Sequence, residues 1–372
     1  MINLLLLAVF LLVFYLVMTA YYRKHWTDNF EVDVNFSQEQ AGVGDSLYLY
    51  ETAMNKKKMQ LPAICVKFGT SKYLDFKDEG SGIVSDHFYR NDVMSLDGFQ
   101  KVRRKLRFTC KKRGLYRIEE AELVSYDMFF VTPFVHRVSL NAELCVYPSL
   151  ISVERLLPIF HSMNGYLPTR VPLYEDPFAF AGVREYTPQD SMRRIHWKAS
   201  ARMGTWQLKT TEFSSSTPVV IMLNLETPGM FTPVELLEDS IRLAYSFVYY
   251  LCEHGVTLRF VAAGNEKIRL EGSGRQQVSM VRRALATIAY DKVCCRGEEL
   301  VQRELPRLHA KEHVILISAA GKRPMQEAVE EMMRHVEQVT WVAPIISENS
   351  EDYEFREISP AIERCLVKWG GV

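Results

Sequence analysis

The apolar residues of this chain begin with one uninterrupted run, INLLLLAVFLLVFYLVMTAYY, that contains no charged side chain. A helix needs about 20 such residues to cross the hydrocarbon core of a bilayer, so the run predicts a transmembrane helix over residues 2–22. Arg23, Lys24 and His25 follow at once. Basic residues on this side of the run place the following part of the chain in the cytoplasm.

A cleaved signal peptide is the alternative interpretation of the same run. Signal peptides carry basic residues before their apolar region and small residues at a cleavage site after it. Here the basic residues come after the run, and no A-x-A site follows them. The sequence therefore favours a permanent single-pass anchor in the cell membrane.

Residues 29–148 alternate between apolar and polar positions in short segments, as half-buried strands do. Clear examples are FEVDVNF at residues 30–36 and SLYLYETAM at residues 46–54. Short strands at regular spacing predict an immunoglobulin-like β-sandwich for this region. The segment KKRG, residues 111–114, is interpreted as a hairpin turn between two of its strands.

The pattern changes again after residue 148. Residues 149–217 are interpreted as a connector that contains a short helix near Ser152 and a crossover rich in Pro and Gly. Residues 218–346 alternate apolar runs such as VVIMLNL with amphipathic segments, which predicts a mostly parallel, doubly wound sheet. Residues 347–372 are interpreted as a C-terminal segment outside that domain. The predicted fold class is α/β plus β, preceded by one membrane helix.

Within the connector, residues 188–203 have the period of a helix with an unusual charge pattern. Thr187 is a candidate N-cap, Pro188 suits the first helical position, and Gly204 is placed to end the helix. Helical spacing divides the side chains into two faces. The apolar face carries Met192, Ile195, Ala199 and Met203, and the opposite face carries Asp190, Arg193, Arg194, Trp197 and Ala201.

The basic side chains of this helix are notable because the protein as a whole is neutral, with 45 Lys and Arg against 45 Asp and Glu. The simplest interpretation is a helix that docks between two layers of the protein, with its charges in an internal ion network. The alternative is a binding surface for an acidic partner or a phosphate. His196 lies at the margin of the apolar face and is interpreted as a structural residue.

Composition narrows the functional classes. Zero net charge argues against a dedicated nucleic-acid-binding protein. Seven cysteines are scattered without a C-x-x-C pair, which is typical of a reducing compartment and gives no zinc ribbon. The sequence has no G-x-S-x-G motif, no H-E-x-x-H motif and no G-x-G-x-x-G motif after a strand. No residue is therefore predicted to be catalytic.

The stretch REYTPQDSMRRIHWKASARMGTWQLKTTE, residues 184–212, resembles the signature of the domain of unknown function 58 family of bacterial and archaeal proteins. The upstream segment RFTCKKRGLYRIEEAELVSYDMF is similar to another part of that family. Gln189 departs from the pattern, because the family commonly has Gly there. The matching signature residues are Arg184, Tyr186, Asp190, Arg193, Ile195, Trp197, Ser200, Ala201, Arg202, Lys209 and Glu212.

The resemblance implies a membrane segment, a β-rich region and a C-terminal domain like von Willebrand factor A, which is a Rossmann-type fold. Such domains often bind a divalent metal through D-x-S-x-S after the first buried strand. The aligned positions here carry Asn224, Glu226 and Pro228, and the later strand end carries Ala319 and Ala320 in place of Asp. The metal site is therefore expected to be degenerate, and no metal or other cofactor is expected.

The family also implies a cellular context, since its genes commonly neighbour those of MoxR-type AAA+ ATPases and transglutaminase-like membrane proteins. The expected function is that of a non-enzymatic, membrane-anchored accessory protein in the assembly or maturation of a membrane or envelope complex. Its expected partners are the membrane and proteins of these two kinds, without nucleic acid. The alternative is an enzyme or small-ligand receptor that uses the basic face of the signature helix on phosphate-bearing envelope precursors.

Overall fold

The chain divides into two compact units, residues 1–148 and residues 149–372, in a computed structural model. The first unit combines a long helix with two β-sheets, and the second is built around a six-stranded sheet. The structure describes residues 2–76, 83–84, 87–127, 129–162, 182–185, 195–210, 218–227, 229, 233–345, 355 and 357–370.

Helix α1, Ile2–His25, is long and apolar enough to cross a membrane. Its large apolar side chains from Leu5 to Val17 are mostly exposed. The end of the helix differs, because Tyr22 is only 2% exposed and belongs to the core of the β-sandwich that follows. The prediction of an apolar helix is confirmed, and the helix is compatible with a membrane anchor.

Lys57 caps the end of α1. Its Nζ donates hydrogen bonds to the carbonyl oxygens of His25 at 2.7 Å and Asp28 at 2.9 Å, and also to that of Trp26. The last carbonyls of a helix have no partner within the helix, so a cation placed among them satisfies and stabilises that end. Trp26 itself is buried in the same core as Tyr22. The start of the connection between α1 and the sandwich is therefore packed into the core through Trp26.

Two sheets form the sandwich in the first unit. One has the order β1-β3-β8-β5 and the other the order β2-β10-β9-β4-β7-β6, with antiparallel pairing except between β2 and β10. Inward-facing side chains of both sheets share one core, so the predicted β-sandwich is confirmed. The strands are β1 Phe30–Phe36, β2 Gln40–Gly42, β3 Ser46–Asn55, β4 Leu61–Ser71, β5 Leu74–Phe76, β6 Ile83–Val84, β7 His87–Leu96, β8 Lys101–Cys110, β9 Gly114–Tyr126 and β10 Pro133–Tyr147.

The segment KKRG does not form the hairpin that its short length predicted. Strand β8 pairs with β3 and β5, whereas β9 pairs with β10 and β4. Residues 111–113 therefore carry the chain from one sheet to the other. Strands joined by a tight turn commonly pair with each other, but here each strand pairs within its own sheet and both cover the shared core.

The sheet of the second unit has the order β15-β14-β13-β16-β17-β18. Neighbouring strands are parallel except β15, which runs antiparallel to β14 at the edge. Numbered along the chain, this is the doubly wound order 3-2-1-4-5-6. The strands are β13 Val219–Asn224, β14 Leu258–Ala263, β15 Lys267–Gly272, β16 His313–Ile317, β17 Gln338–Ile345 and β18 Leu366–Gly370.

Helices cover both faces of this sheet. All six residues of β13 are buried, and they alternate between two cores, with Ile221 in one and Met222 in the other. This confirms that the run VVIMLNL forms a strand buried on both sides. The helices are α2 Val153–Ser162, α4 Val234–Glu253, α5 Gly274–Thr287, α6 Gly297–Glu304, α7 Arg323–His335 and α8 Pro360–Glu363, with a 3-10 turn at Leu305–Arg307.

The domain boundaries predicted at 217/218 and 346/347 both cut through this unit. Helix α2 packs its Phe160 ring 5.5 Å from Phe247 of α4, so the start of the connector is part of the α/β core. Strand β18 pairs with β17 and belongs to the same sheet, so the C-terminal segment is also part of it. β18 is only five residues long and includes the polar residue Lys368. It therefore lacks the continuous apolar run that predicted the other buried strands.

Candidate functional site

A group of polar residues lies at the carboxyl ends of β13 and β16. These two strands are neighbours, but β13 leads on to β14 at one side of the sheet and β16 leads on to β17 at the other. In open α/β sheets such a switch point opens the crevice in which ligands bind. We call four residues that lie at this point, Asn224, Glu226, Gly297 and Ser318, the carboxyl-end cluster.

Asn224 and Ser318 form the buried centre of the cluster. Asn224 Nδ2 donates to Ser318 Oγ at 3.0 Å, and both residues are fully buried. Ser318 Oγ also accepts from the Ala320 N–H and donates to the Ala320 carbonyl, both at 3.2 Å. Trp341 Nε1 donates to the Ser318 carbonyl at 3.1 Å. The sequence prediction named Asn224 and Ala320 but missed Ser318, which a search for polar residues directly after buried strands would have found.

Glu226 links the cluster to a helix. Its Oε2 accepts from the N–H of Gly297, the first residue of α6, at 2.7 Å. The exposed N–H groups at a helix N-terminus favour a negative charge. The Glu226 N–H donates to Asn224 Oδ1 at 3.1 Å. The two residues predicted as remnants of a metal site therefore lie together and are hydrogen-bonded to groups of the protein, while Pro228 lies outside the described residues.

The hydrogen-bonding atoms of the cluster largely satisfy one another. Asn224 uses both its amide nitrogen and its amide oxygen, and the Ser318 hydroxyl has three partners. Within the described part of the chain, no group of three His, Cys, Asp or Glu side chains could hold a metal ion. The hydrogen bonds of the cluster attach the start of α6 to the sheet. No nucleophile with an adjacent base is visible among its residues.

Gly297 is required for this packing, and replacing it with alanine should disturb the cluster. An added Cβ would lie 2.4 Å from Asn224 Nδ2 and 3.0 Å from Met325 Sδ. Relief of such a clash in a packed core typically costs about 1–3 kcal/mol. We expect Gly297→Ala to lower the free energy of unfolding by that amount in urea denaturation. Gly229→Ala is the control, since nothing lies within 4 Å of its added Cβ, and an equal loss there would contradict the explanation.

The two ends of the signature segment, residues 184–212, form a small ribbon. Strand β11, Gly182–Glu185, pairs antiparallel with β12, Gln207–Thr210. Arg184 lies opposite Leu208 in this register. The structure thus brings the first part of the signature beside its later part, including Lys209. Tyr186, Asp190, Arg193 and Glu212 lie outside the described residues.

The helix predicted over 188–203 begins later than expected. Helix α3 covers Trp197–Met203, while Ile195 lies in a β-bridge and His196 is the N-cap. The His196 N–H donates to the Gln207 carbonyl at 2.7 Å. This backbone is thus extended alongside β12, and it cannot belong to a helix at the same time. The predicted N-cap at Thr187 and start at Pro188 are therefore wrong as the beginning of one continuous helix.

Hydrogen bonds hold α3 against β12. His196 Nδ1 accepts from the Ala199 N–H at 3.1 Å, which confirms a structural role for this histidine. The hydroxyl of Ser200 donates to the His196 carbonyl at 3.1 Å and accepts from the Gln207 N–H at 2.8 Å. Gly204 ends the helix with a φ of 68°, as predicted, because glycine tolerates this left-handed conformation. Ser200 is thus the signature residue that ties α3 to the ribbon.

An exposed aromatic surface lies on this fixed segment. The side chains of Trp197, Met203 and Trp206 are 69%, 63% and 50% exposed, and we call them the tryptophan patch. The two indole rings lie 6.3 Å apart between centroids. Lys198 and Arg202 are exposed on the same short helix. The side chains of Trp197 and Arg202 are thus exposed on α3, and the predicted internal ion network of the helix stays a prediction.

Two further signature residues, Ile195 and Ala201, differ in exposure to solvent. Ile195 is 3% exposed, so its apolar side chain is buried. Ala201 is exposed on α3. Of the signature residues that the structure describes with their side chains, Ser200 ties the segment together and Ile195 is buried, while Trp197 and Arg202 are available at its surface.

No protein-family model matches this chain, and no curated protein matches it. Solved structures match parts of it. The CARDB domain of a Pyrococcus furiosus protein is 18% identical and covers 32% of this chain and 90% of its own, with a TM-score of 0.21. A non-cellulosomal cohesin from Archaeoglobus fulgidus is 13% identical, and the match covers 35% of this chain and 99% of the cohesin, with a TM-score of 0.21. Domains D2 and D3 of the major pilin SpaD from Corynebacterium diphtheriae are 9% identical, and the match covers 29% of this chain and 50% of the pilin chain, with a TM-score of 0.22.

Proposed function

We propose that this protein is a non-enzymatic, membrane-anchored accessory protein that binds a protein partner through the tryptophan patch. The observation that carries the proposal is the pair of exposed indole rings on a segment whose backbone is fixed by hydrogen bonds. Trp, Tyr and Arg dominate the binding energy at protein interfaces. A rigid surface of this kind loses little conformational entropy when it binds.

The packing of α1 supports its role as a retained anchor rather than a cleaved signal. Tyr22 and Trp26 are part of the core of the sandwich. Cleavage after the apolar run would remove Tyr22 from that core and separate it from Ser125, to which its hydroxyl is hydrogen-bonded at 2.8 Å. The basic residues Arg23 and Lys24 favour a cytoplasmic location for the two units.

The α/β unit supports an interaction role in this proposal. Its strand order with an antiparallel third strand is compatible with a domain like von Willebrand factor A. At the strand ends where such a domain would bind a metal, Asn224, Glu226 and Ser318 are hydrogen-bonded within the protein. In this proposal the domain presents a surface to its partner without a bound ion.

The resemblance of the signature segment supplies the kind of partner. A MoxR-type AAA+ ATPase is the proposed ligand of the tryptophan patch, and a transglutaminase-like membrane protein is the proposed neighbour in the same complex. The process would be the assembly or maturation of a membrane or envelope complex. The exposed cations Lys198 and Arg202 would meet acidic groups of the partner at the rim of the interface.

Replacing both tryptophans tests this function. A tryptophan at the centre of an interface typically contributes 2 kcal/mol or more, which is about 30-fold in affinity. We expect the amount of ATPase that co-purifies from native membranes to be at least tenfold lower with the Trp197→Ala, Trp206→Ala variant than with the wild-type protein. The measurement is quantitative mass spectrometry after chemical crosslinking.

Met280→Ala is the matched control, because Met280 is also an exposed apolar side chain of the second unit, at 43% exposure. It should keep the ATPase at the wild-type level. Unchanged recovery with the double tryptophan variant would exclude the tryptophan patch as the binding surface. Loss of inorganic phosphate binding in Arg202→Ala, with the protein partners retained, would instead favour the small-ligand receptor.

A further inference from the structure

The hairpin formed by β9 and β10 runs alongside the last three turns of α1. At one end of this contact, the rings of Trp26 and His136 lie 6.2 Å apart between centroids. At the other end, Tyr15 OH lies 3.3 Å from Thr132 Oγ1. Thr132 belongs to the loop between the two strands. The tip of the hairpin therefore points along α1 toward the middle of its apolar run.

Two further contacts between these ends show that the hairpin follows the helix continuously. The hydroxyl of Tyr22 is hydrogen-bonded to Ser125 Oγ at 2.8 Å, and both groups are buried. Thr19 Oγ1 lies 3.4 Å from Asp127 Oδ2, and Asp127 Oδ1 accepts from the Val131 N–H at 2.8 Å. Asp127 is only 1% exposed. Its carboxylate is thus enclosed at the base of the tip, where it fixes the loop against the helix.

The depth of the tip follows from helix geometry. Tyr15 precedes Arg23, the first charged residue after the apolar run, by eight positions. At 1.5 Å per residue, Tyr15 lies about 12 Å further into the apolar part of the helix than Arg23. The ring of Phe129, at the hairpin tip, lies 5.3 Å from the ring of Tyr15 between centroids. If α1 crosses a bilayer, the tip reaches the level of the acyl chains.

The described side chains at the tip have the polarity that this depth requires. Phe129, Phe130 and Val131 are 46%, 59% and 66% exposed, and Val135 on β10 is 60% exposed. The sequence from Phe129 to Val135 contains no charge.

Polar and charged side chains resume at His136 and Arg137. His136 packs on Trp26, which directly follows the basic end of α1. Apart from the enclosed Asp127, the helix and the hairpin thus change from apolar to polar and charged residues at the same level, as two elements in one bilayer would.

We propose that the tip of the β9–β10 hairpin, Phe129–Val131, inserts into the lipid acyl chains beside α1. The occupant of this apolar surface is a lipid bilayer. The proposal rests on the membrane anchoring of α1 and adds a second membrane element that does not cross the bilayer. Two points of insertion fix the orientation of the sandwich at the membrane surface.

Site-directed fluorescence on the full chain in liposomes tests the proposal. Cys294 is the exposed cysteine among the described residues, and Cys294→Ser provides the background. A bimane label on Val131→Cys should be quenched several-fold more strongly by lipids with a nitroxide on the acyl chain than by iodide in the water. The same label on Phe99→Cys is the control. Phe99 is 72% exposed at the β7–β8 turn, and its N–H donates to the carbonyl of Lys57, the residue that caps the charged end of α1.

The label on Phe99→Cys should show the opposite preference, with stronger quenching by iodide. Equal iodide quenching at Val131→Cys and Phe99→Cys would overturn the insertion of the hairpin. A third label on Val13→Cys, within α1, separates this result from a failure of the anchor. If iodide quenches the Val13 label as well, α1 itself is not in the bilayer, and both the anchor and the insertion are refuted.

Discussion

Replacing Glu304 with alanine should lower the free energy of unfolding of the second unit by about 1.5–3 kcal/mol, the loss typical of hydrogen bonds to a charged group, because Lys267 and Arg269 are 28% and 30% exposed and can regain water. Glu304, at the end of α6, is 1% exposed. Lys267 Nζ lies 2.5 Å from its Oε1, and Arg269 is paired with its Oε2. Both cations lie on the edge strand β15. The variant would leave them together without an anion.

The pKa of Glu304 agrees with this arrangement. Burial by itself raises the pKa of the carboxyl, but Lys267 and Arg269 outweigh burial and lower it below its ordinary value. A carboxyl with a lowered pKa in the folded state stabilises the fold above its unfolded pKa, and this contribution is lost as the pH falls through the folded value. The ion pair should therefore fasten β15 to α6 at neutral pH and release it in strong acid.

Native-state hydrogen exchange of peptides from β15 and α6 measures this effect in the full chain. Glu299→Ala is the matched control on the same helix, because Glu299 is 45% exposed and pairs with Arg303 at 3.3 Å across one turn. An exposed pair of this kind contributes about 0.5 kcal/mol or less. Replacing Glu304, Lys267 and Arg269 together with methionine should recover most of the lost stability. Equal losses for Glu304→Ala and Glu299→Ala would refute the role of the buried pair.

Acidification from pH 7 to pH 5 should lower the free energy of unfolding of the second unit by about 2 kcal/mol through protonation of His313. The full loss, reached only at pH values below both pKa values of this histidine, is about 3 kcal/mol. His313 begins β16 and is 1% exposed. Its Nε2 is hydrogen-bonded to Thr340 Oγ1 at 3.0 Å, while its Nδ1 is buried without a hydrogen-bond partner. Protonation would place a charge and an unsatisfied N–H inside the sheet.

The direction of this pH dependence follows from the two pKa values of His313. Burial lowers its pKa in the folded protein to about 4, whereas an unfolded histidine has a pKa of about 6.5. Between these values the unfolded chain binds a proton that the folded chain does not bind. Stability is therefore complete above pH 6.5, and it decreases as the pH falls toward 4.

Urea denaturation of the detergent-solubilised chain at pH 7 and pH 5, followed by tryptophan fluorescence, tests this prediction. His313→Gln should flatten the pH dependence, because glutamine can keep a hydrogen bond to Thr340 and does not titrate in this range. His335→Gln is the control, since His335 is exposed on α7. An unchanged pH dependence in His313→Gln would show that another group is responsible.

The sequence predicted those features that local patterns determine. The run of six buried residues in β13 is apolar at nearly every position, and this pattern belongs to a strand covered on both sides. Gly204 ended its helix as expected, because its left-handed backbone conformation favours glycine. The start of the same helix was wrong, because the backbone of His196 pairs with Gln207, eleven positions later. Helical periodicity contains no information about such a pairing.

The carboxyl-end cluster and the hairpin beside α1 depend on contacts between distant parts of the chain. Ser318 meets Asn224 because the sheet order places β13 and β16 side by side. Tyr15 and Thr132 are 117 positions apart in the sequence. The sequence shows the apolar character of each partner in the hairpin contact, but only the tertiary structure shows that they meet at the same level.

The junction between α1 and the sandwich has a mechanical consequence. Only four residues separate α1 from β1, and Lys57 binds carbonyl oxygens of two of them, Trp26 and Asp28. These hydrogen bonds, together with the burial of Trp26, restrict movement between α1 and the sheets. If α1 crosses a bilayer, as we propose, a force on the sandwich would be transmitted to α1 and would change its tilt in the membrane.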